Sequence, residues 1–160
     1  MKIKNFLAMM MAACVMVMGA ASCDDDDDDT DKVVAAADAM VGTYTGEYIL
    51  TVMGSADTAT VEMTINKVDD STIQLVTPAA GSGSMALPSL SVNLPVAGVD
   101  GLYVAEAESV SGSIVVNDVE KAYTFSNIAV TVEDNKAGIS YSLQYGKMPV
   151  AMNVTFVGSK

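Results

Sequence analysis

The sequence predicts an all-β domain, a sandwich or a barrel, and three observations carry that prediction. From about residue 40 onward the chain shows short runs of alternating apolar and polar residues, the period of a strand with one buried face. Turn-forming residues interrupt those runs every eight to twelve positions or so. The stretch is also long enough for one hydrophobic core and too short for two domains of ordinary size.

The chain opens on what reads as a secretion signal. Lys2 and Lys4 supply a positive start, Phe6 to Met18 an unbroken apolar run, and Gly19-Ala20-Ala21-Ser22 the small residues of a cleavage site, the order that export requires. A membrane-spanning helix is the competing explanation. It fits less well, because the run to Ser22 is at the short limit for a hydrocarbon core about 30 Å thick and aspartates follow it in place of a basic stop-transfer cluster. Ala20-Ala21-Ser22-Cys23 resembles a bacterial lipobox, although most lipoboxes carry Leu where Ala20 stands, which leaves ordinary signal-peptidase cleavage near Ala21 or Ser22 as the alternative. Cys14 would leave with the signal, so Cys23 would be the one thiol of the mature chain, with no partner for an internal disulfide. Lipidation gives it a role, since two or three acyl chains make a durable anchor where one does not.

Asp24 to Asp29, then Thr30, Asp31 and Lys32, form an acidic block that repels itself and stays hydrated. It reads as a linker, and it resembles the acidic signal with which some Gram-negative bacteria send lipoproteins to the outer face of the outer membrane. An EF-hand calcium site is excluded by spacing, since the alternating ligands, turn glycine and distal glutamate are missing. The expected organisation is a lipoprotein signal peptide over residues 1–22, lipidated Cys23 with a disordered linker over 23–34, and the β domain over 35–160. That places the protein at the outer membrane, lipid-anchored and exposed at the cell surface.

Within the domain, residues 33–40 are the one helical candidate, too short to be stable alone. Strands are expected near residues 42–53, 58–67, 71–77, 89–95, 102–107, 111–117, 121–132, 136–145 and 148–157, eight or nine in all. Val61, Met63 and Ile65 alternate with polar residues, as do Ile139, Tyr141, Leu143 and Tyr145. Met148, Val150, Met152, Val154 and Phe156 read as five successive inward positions, with Pro149 tolerable near the strand start or on an edge. Gly54, Asp69-Asp70-Ser71, Asp100-Gly101, Asn117-Asp118, Asp134-Asn135 and Gly146-Lys147 mark hairpin turns. Pro78 to Pro88 reads as a flexible loop that could serve as a lid or mouth. Two places break the alternation. Tyr123 and Phe125 are odd while Ile128, Val130 and Val132 are even, which a β-bulge near Ser126-Asn127 would repair. Leu102 and Val104 share phase with Glu106 and Glu108, so either the strand twists outward there or Tyr103, Ala105 and Ala107 face inward.

Charge narrows the partners. The formal charge is −12, and loss of Lys2 and Lys4 with the signal takes it two further, to −14; there is no arginine. Nucleic acid, phosphorylated substrates and anionic lipid surfaces are therefore excluded as expected partners. The chain has no histidine, so no Ser-His-Asp triad, imidazole base or histidine metal site is available, and a lipidated Cys23 is no nucleophile. Glu106 and Glu108 could supply a paired-carboxylate site, but acids two apart on a strand usually form a solvated face. No catalysis, cofactor or metal is expected.

Val41-Gly42-Thr43-Tyr44-Thr45-Gly46 at the opening and Val154-Thr155-Phe156-Val157-Gly158-Ser159-Lys160 at the close resemble the calycin-like, or lipocalin-like, domain lipoproteins of Gram-negative bacteria over about residues 40–160. The resemblance implies an antiparallel up-and-down barrel of about eight strands, whose interior is filled by side chains or holds one small ligand. True lipocalins open with Gly-x-Trp and carry a basic residue near the close; this chain has no tryptophan. Tyr44, Tyr48, Met63, Tyr123, Phe125, Tyr141, Met152 and Phe156 are the candidate lining of a ligand site, each also readable as ordinary core. A small apolar or glycan-like ligand is the expected occupant. The alternative is a filled barrel that acts as an interaction module for another envelope protein.

Overall fold

A computed structural model describes residues 35–83, 86–99 and 101–160 of the chain; the signal segment, Cys23 and the acidic linker lie outside the described residues. A short helix, α1 (Ala36–Met40), leads into eight strands: β1 (Gly42–Val52), β2 (Ser55–Asp69), β3 (Thr72–Val76), β4 (Ser91–Val99), β5 (Leu102–Val116), β6 (Val119–Glu133), β7 (Lys136–Tyr145) and β8 (Met152–Ser159). Each strand pairs antiparallel with the next, and β8 returns to pair with β1, so the sheet closes into an up-and-down barrel. Closure leaves one buried face per strand, and that is the alternation visible in the sequence. The buried side chains from Ala37 to Phe156 form one hydrophobic cluster within the closed sheet.

Three hairpins turn on residue pairs with both φ angles positive: Met53-Gly54 (50° and 83°), Asn117-Asp118 (52° and 62°) and Asp134-Asn135 (48° and 62°). Such turns match the right-handed twist of the flanking strands, and Asn, Asp and Gly tolerate them best.

Both breaks in the alternation have a structural cause. Against β7, β6 shifts register between Ser126 and Ala129, and Asn127 adopts a φ of 51°. This is the expected bulge, and it keeps Phe125, Ile128 and Val130 all buried. On β5, Ala105 is buried with Tyr103 and Ala107 packed against the core, so these three form the inward set. Glu106 and Glu108 are exposed outside, as a solvated pair.

Two expectations need correction. Residues 102–107 and 111–117 are not separate strands; they are one fifteen-residue β5, whose inward phase changes from Ala107 to Val110 where β6 also shifts. The final strand begins at Met152, so Met148 and Val150 belong to the β7–β8 connection, Met148 half-buried and Val150 exposed. Pro149, which cannot donate to a ladder, sits just ahead of that start.

One end of the barrel is closed by α1. Ala37 and Met40 are fully buried, and the helix packs against β2, β3, β4 and β5. Its ends are fastened by side chains from the wall. The Tyr44 hydroxyl donates to Met40 O at 2.8 Å, Lys160 Nζ to Val41 O at 2.6 Å and to Ala39 O at 3.2 Å, and Lys67 Nζ pairs with Asp38 at 2.9 Å. Lys160 also stands 5.2 Å from the centre of the Tyr44 ring, a cation–π geometry. A basic residue at the close of the chain thus meets the aromatic of the opening segment.

Those motifs meet again at the seam. Gly46 and Gly158 are direct cross-strand partners in the β1–β8 ladder. A Cβ on Gly46 would lie 2.0 Å from Val157 O, and one on Gly158 2.4 Å from Phe156 Cζ. The two glycines let the backbones converge and leave room for Phe156.

Candidate functional site

At the end away from α1 the wall is incomplete. Val96 N donates to Ser71 O on the β3 side, so the nitrogen of Pro95 faces β5 with no hydrogen to give, and the β4–β5 ladder ends at Val96–Ala105. Beyond that point β5 pairs with β6 alone, through Val116. On the opposite flank β2 pairs with β3 only from Thr64 to Asp69, and its outer half, Ser55 to Met63, pairs with β1 alone. The upper wall is a six-stranded trough running β5-β6-β7-β8-β1-β2, with two unpaired edges among the described residues. The β3–β4 connection lies between those edges. It folds back on itself through Thr77–Leu90 and Ala80–Leu87 backbone hydrogen bonds, and Leu87 and Leu90 are buried. Within the segment read as a flexible mouth loop, the described residues Ala80 and Leu87 are thus joined by a bridge.

Burial of the inward side chains varies along the barrel, with Val96, Tyr103 and Ala107 half-buried toward α1 and Leu143, Tyr145 and Met152 buried toward the open end. Below, Tyr44, Met63, Ile65, Ile73, Leu75, Leu94, Ala105 and Val130 are fully buried. Above, Leu50, Val52, Val61, Val110, Ile114, Tyr123 and Met148 pack against the core yet remain half-exposed. Part of the apolar side-chain surface toward the open end is thus left uncovered among the described residues. Its floor is aromatic. Phe125 stands edge-on to Tyr123 with ring centres 5.7 Å apart and to Tyr141 at 5.1 Å, favourable geometries for π quadrupoles. The buried hydroxyls of Tyr141 and Tyr48 influence each other's ionisation. Burial pushes the Tyr141 hydroxyl well above its usual pKa, with the Tyr48 hydroxyl adding to the shift. Both groups are neutral hydrogen-bonding hydroxyls at physiological pH, capable of orienting a ligand but not of acting as a base there.

The eight candidates from the sequence divide accordingly. Tyr48, Phe125 and Tyr141 form the floor, and Tyr123 the wall, its hydroxyl reaching Ser91 O at 3.3 Å. Tyr44 and Met63 are partners at the α1 end, where Tyr44 serves the plug, and Phe156 is fully buried over Gly158. Met152 is buried opposite Leu143. Leu50, Val52, Val110, Ile114 and Met148 were missed. Val110 and Ile114 share a phase that only the change along β5 turns inward.

The family model for the calycin-like β-barrel domain matches residues 40–159. The chain belongs to this family. A solved structure of similar fold comes from Bacteroides fragilis, of a protein provisionally described as an outer membrane protein; the two share 20% identity with a TM-score of 0.59, over 79% of this chain and 53% of that one. The chain thus spans about half the length of that structure. None of the curated proteins matches this calycin-like chain.

Proposed function

We propose that this protein is an envelope lipoprotein, exported by residues 1–22 and held at the outer membrane through acylated Cys23, exposed at the cell surface, whose calycin-like barrel binds a small apolar ligand and performs no catalysis. The observation that carries the ligand reading is the partly uncovered inward side of the upper barrel, where Leu50, Val110, Ile114, Tyr123 and Met148 are only half-buried while Tyr48, Phe125 and Tyr141 are buried. Concave, apolar, aromatic-lined surfaces with a few hydroxyls are the usual form of small-molecule sites. The description of the Bacteroides protein as an outer membrane protein agrees with the address read from the N-terminal segment.

Native mass spectrometry of the domain, purified gently from its own host, tests the reading. An adduct that denaturation and refolding remove supports it and identifies the cargo, whereas a bare mass counts against it. A second reading, an interaction module for another envelope protein, is favoured by the unpaired β5 edge and by Met53, Val115 and Val119, which are 83%, 67% and 56% exposed on hairpins at the open end. Exposed edges and apolar tips are typical docking features. A co-purifying protein released by Ser111→Pro on the β5 edge would select it.

A further inference from the structure

We propose that the unpaired edge of β5 takes up an extended, basic segment of a partner protein, which adds to the wall as a further strand. This rests on the interaction-module reading and adds the place and the chemistry of the partner. The β5–β6 hairpin closes on the two-residue turn Asn117-Asp118, both with positive φ, which makes Val116 and Val119 a hydrogen-bonded pair. Counting back from Val116, Ile114, Gly112 and Val110 turn their backbone groups to β6. Ser109, Ser111, Ser113 and Val115 turn theirs the other way, and among the described residues no strand meets them there, since the β4–β5 ladder stops at Val96–Ala105. A row of N–H and C=O groups is thus presented at the spacing of a strand, the form that β-strand addition uses.

Edge strands are ordinarily guarded by charge or proline. The unpaired half of β2 carries Asp57 and Glu62 and β4 carries Pro95, whereas Ser109 to Asn117 has neither a charge nor a proline. Its outward hydroxyls turn back to β6, Ser111 Oγ lying 2.9 Å from Thr124 Oγ1 and Ser113 Oγ donating to Glu120 at 2.7 Å, so they leave the edge uncovered. On the inner side the Tyr123 ring lies over Gly112, where a Cβ would come 2.6 Å from its hydroxyl oxygen, and reaches Ser91 O on β4 at 3.3 Å. Tyr123 thus backs the edge from within, and the added strand comes from outside. Charge selects what that strand is. Glu106 and Glu108 at one end of the uncharged stretch, and Asp118 and Glu120 at the other, are all exposed. A second copy of the chain is a poor occupant. Antiparallel self-pairing centred on Ser113 sets Glu108 against the copy's Asp118, centring on Gly112 sets Glu106 there, and like charges across a ladder repel. Uncharged β-formers with Lys or Arg at both ends match the edge in backbone and in charge.

Fluorescence anisotropy with the full chain in detergent micelles compares the labelled peptides KKTVTVTVKK, EETVTVTVEE and KKTPTVTPKK. The first is expected to bind about tenfold more tightly than the second, from the summed charge pairs at its ends. The third has the charge of the first but cannot complete a ladder, so it reports attraction to the acidic chain at large, Asp24 to Asp29 included, and should bind only at that background. Ser111→Pro, which removes a donor from the edge and none from the β5–β6 ladder, should reduce the first peptide to the same background. Glu106→Lys with Glu108→Lys, on the solvated face, should weaken the first peptide and strengthen the second. Equal binding of the first two peptides overturns the basic partner and spares the edge. Equal binding of the proline peptide, or binding that survives Ser111→Pro, overturns strand addition. A doubled mass in sedimentation that Ser111→Pro abolishes gives the edge to a second copy and overturns the proposal. If no peptide binds, this inference falls, while the interaction-module reading stands or falls separately on its co-purifying protein.

Discussion

At Gly46 two backbones pass so closely that the smallest possible side chain has nowhere to go. The obstruction is the main chain of Val157 and Gly158, which cannot swing aside as a flexible side chain could. Gly46→Ala is therefore expected to destabilise the domain by about 3 kcal/mol, the upper end of ordinary overpacking. Gly54→Ala, at a φ of 83° with open space around it, should cost only about 1 kcal/mol of backbone strain. Chemical denaturation of both variants checks this, and similar losses for the two would mean that the seam is not tight. Tyrosines supply a second residue-scale test. Burial pushes the Tyr44 hydroxyl from 10.0 to about 12 and moves Tyr141 in the same direction. A phenol whose pKa is higher in the folded state than in the unfolded state leaves stability intact below pH 10 and removes it as pH climbs toward 12. Tyrosinate absorbance from these two residues should appear only above the ordinary range, and Tyr141→Phe should reduce that late component. A Tyr44 that ionises near pH 10 would contradict its place under the plug.

Among the elements, β7 was nearly transparent in the sequence because it keeps one phase throughout, with Ile139, Tyr141, Leu143 and Tyr145 all buried, whereas the same phase continued back through Val150 and Met148 made β8 look longer than it is. β5 was not transparent, because its inward residues pass from odd to even numbers beyond Ala107 and period-two reading splits such a strand in two. The bulge on β6 was legible since large apolar residues flank it; on β5 the same level holds Glu108 and Ser109, which signal nothing. Asn127 tests the bulge directly. With φ at 51°, Asn127→Ala should cost about 1 kcal/mol and Asn127→Gly almost nothing, since only the first adds a strained Cβ. Thermal melts of the two variants decide it, and an Ala variant as stable as the Gly one would argue against the left-handed turn.

For the whole molecule, the closed barrel follows from connectivity that no local pattern contains. Alternation is the same in a sandwich and a barrel, and the β1–β8 ladder is what separates them. The anchor is a whole-molecule prediction too. Growth of the host on labelled palmitate should label the chain, and Cys23→Ala should abolish the label and release the protein from the membrane fraction; label persisting in that variant would place the acyl group elsewhere.

The seam between β1 and β8 also sets the order in which the chain can fold. Thr45 and Ser159 are adjacent there although nearly the whole domain separates them in sequence, and contacts of such long range form slowly. The cylinder cannot close until its last strand has been made, whatever hairpins form before it. A chain built this way remains an unclosed thread during synthesis, which is the state in which a polypeptide can be passed through a narrow channel.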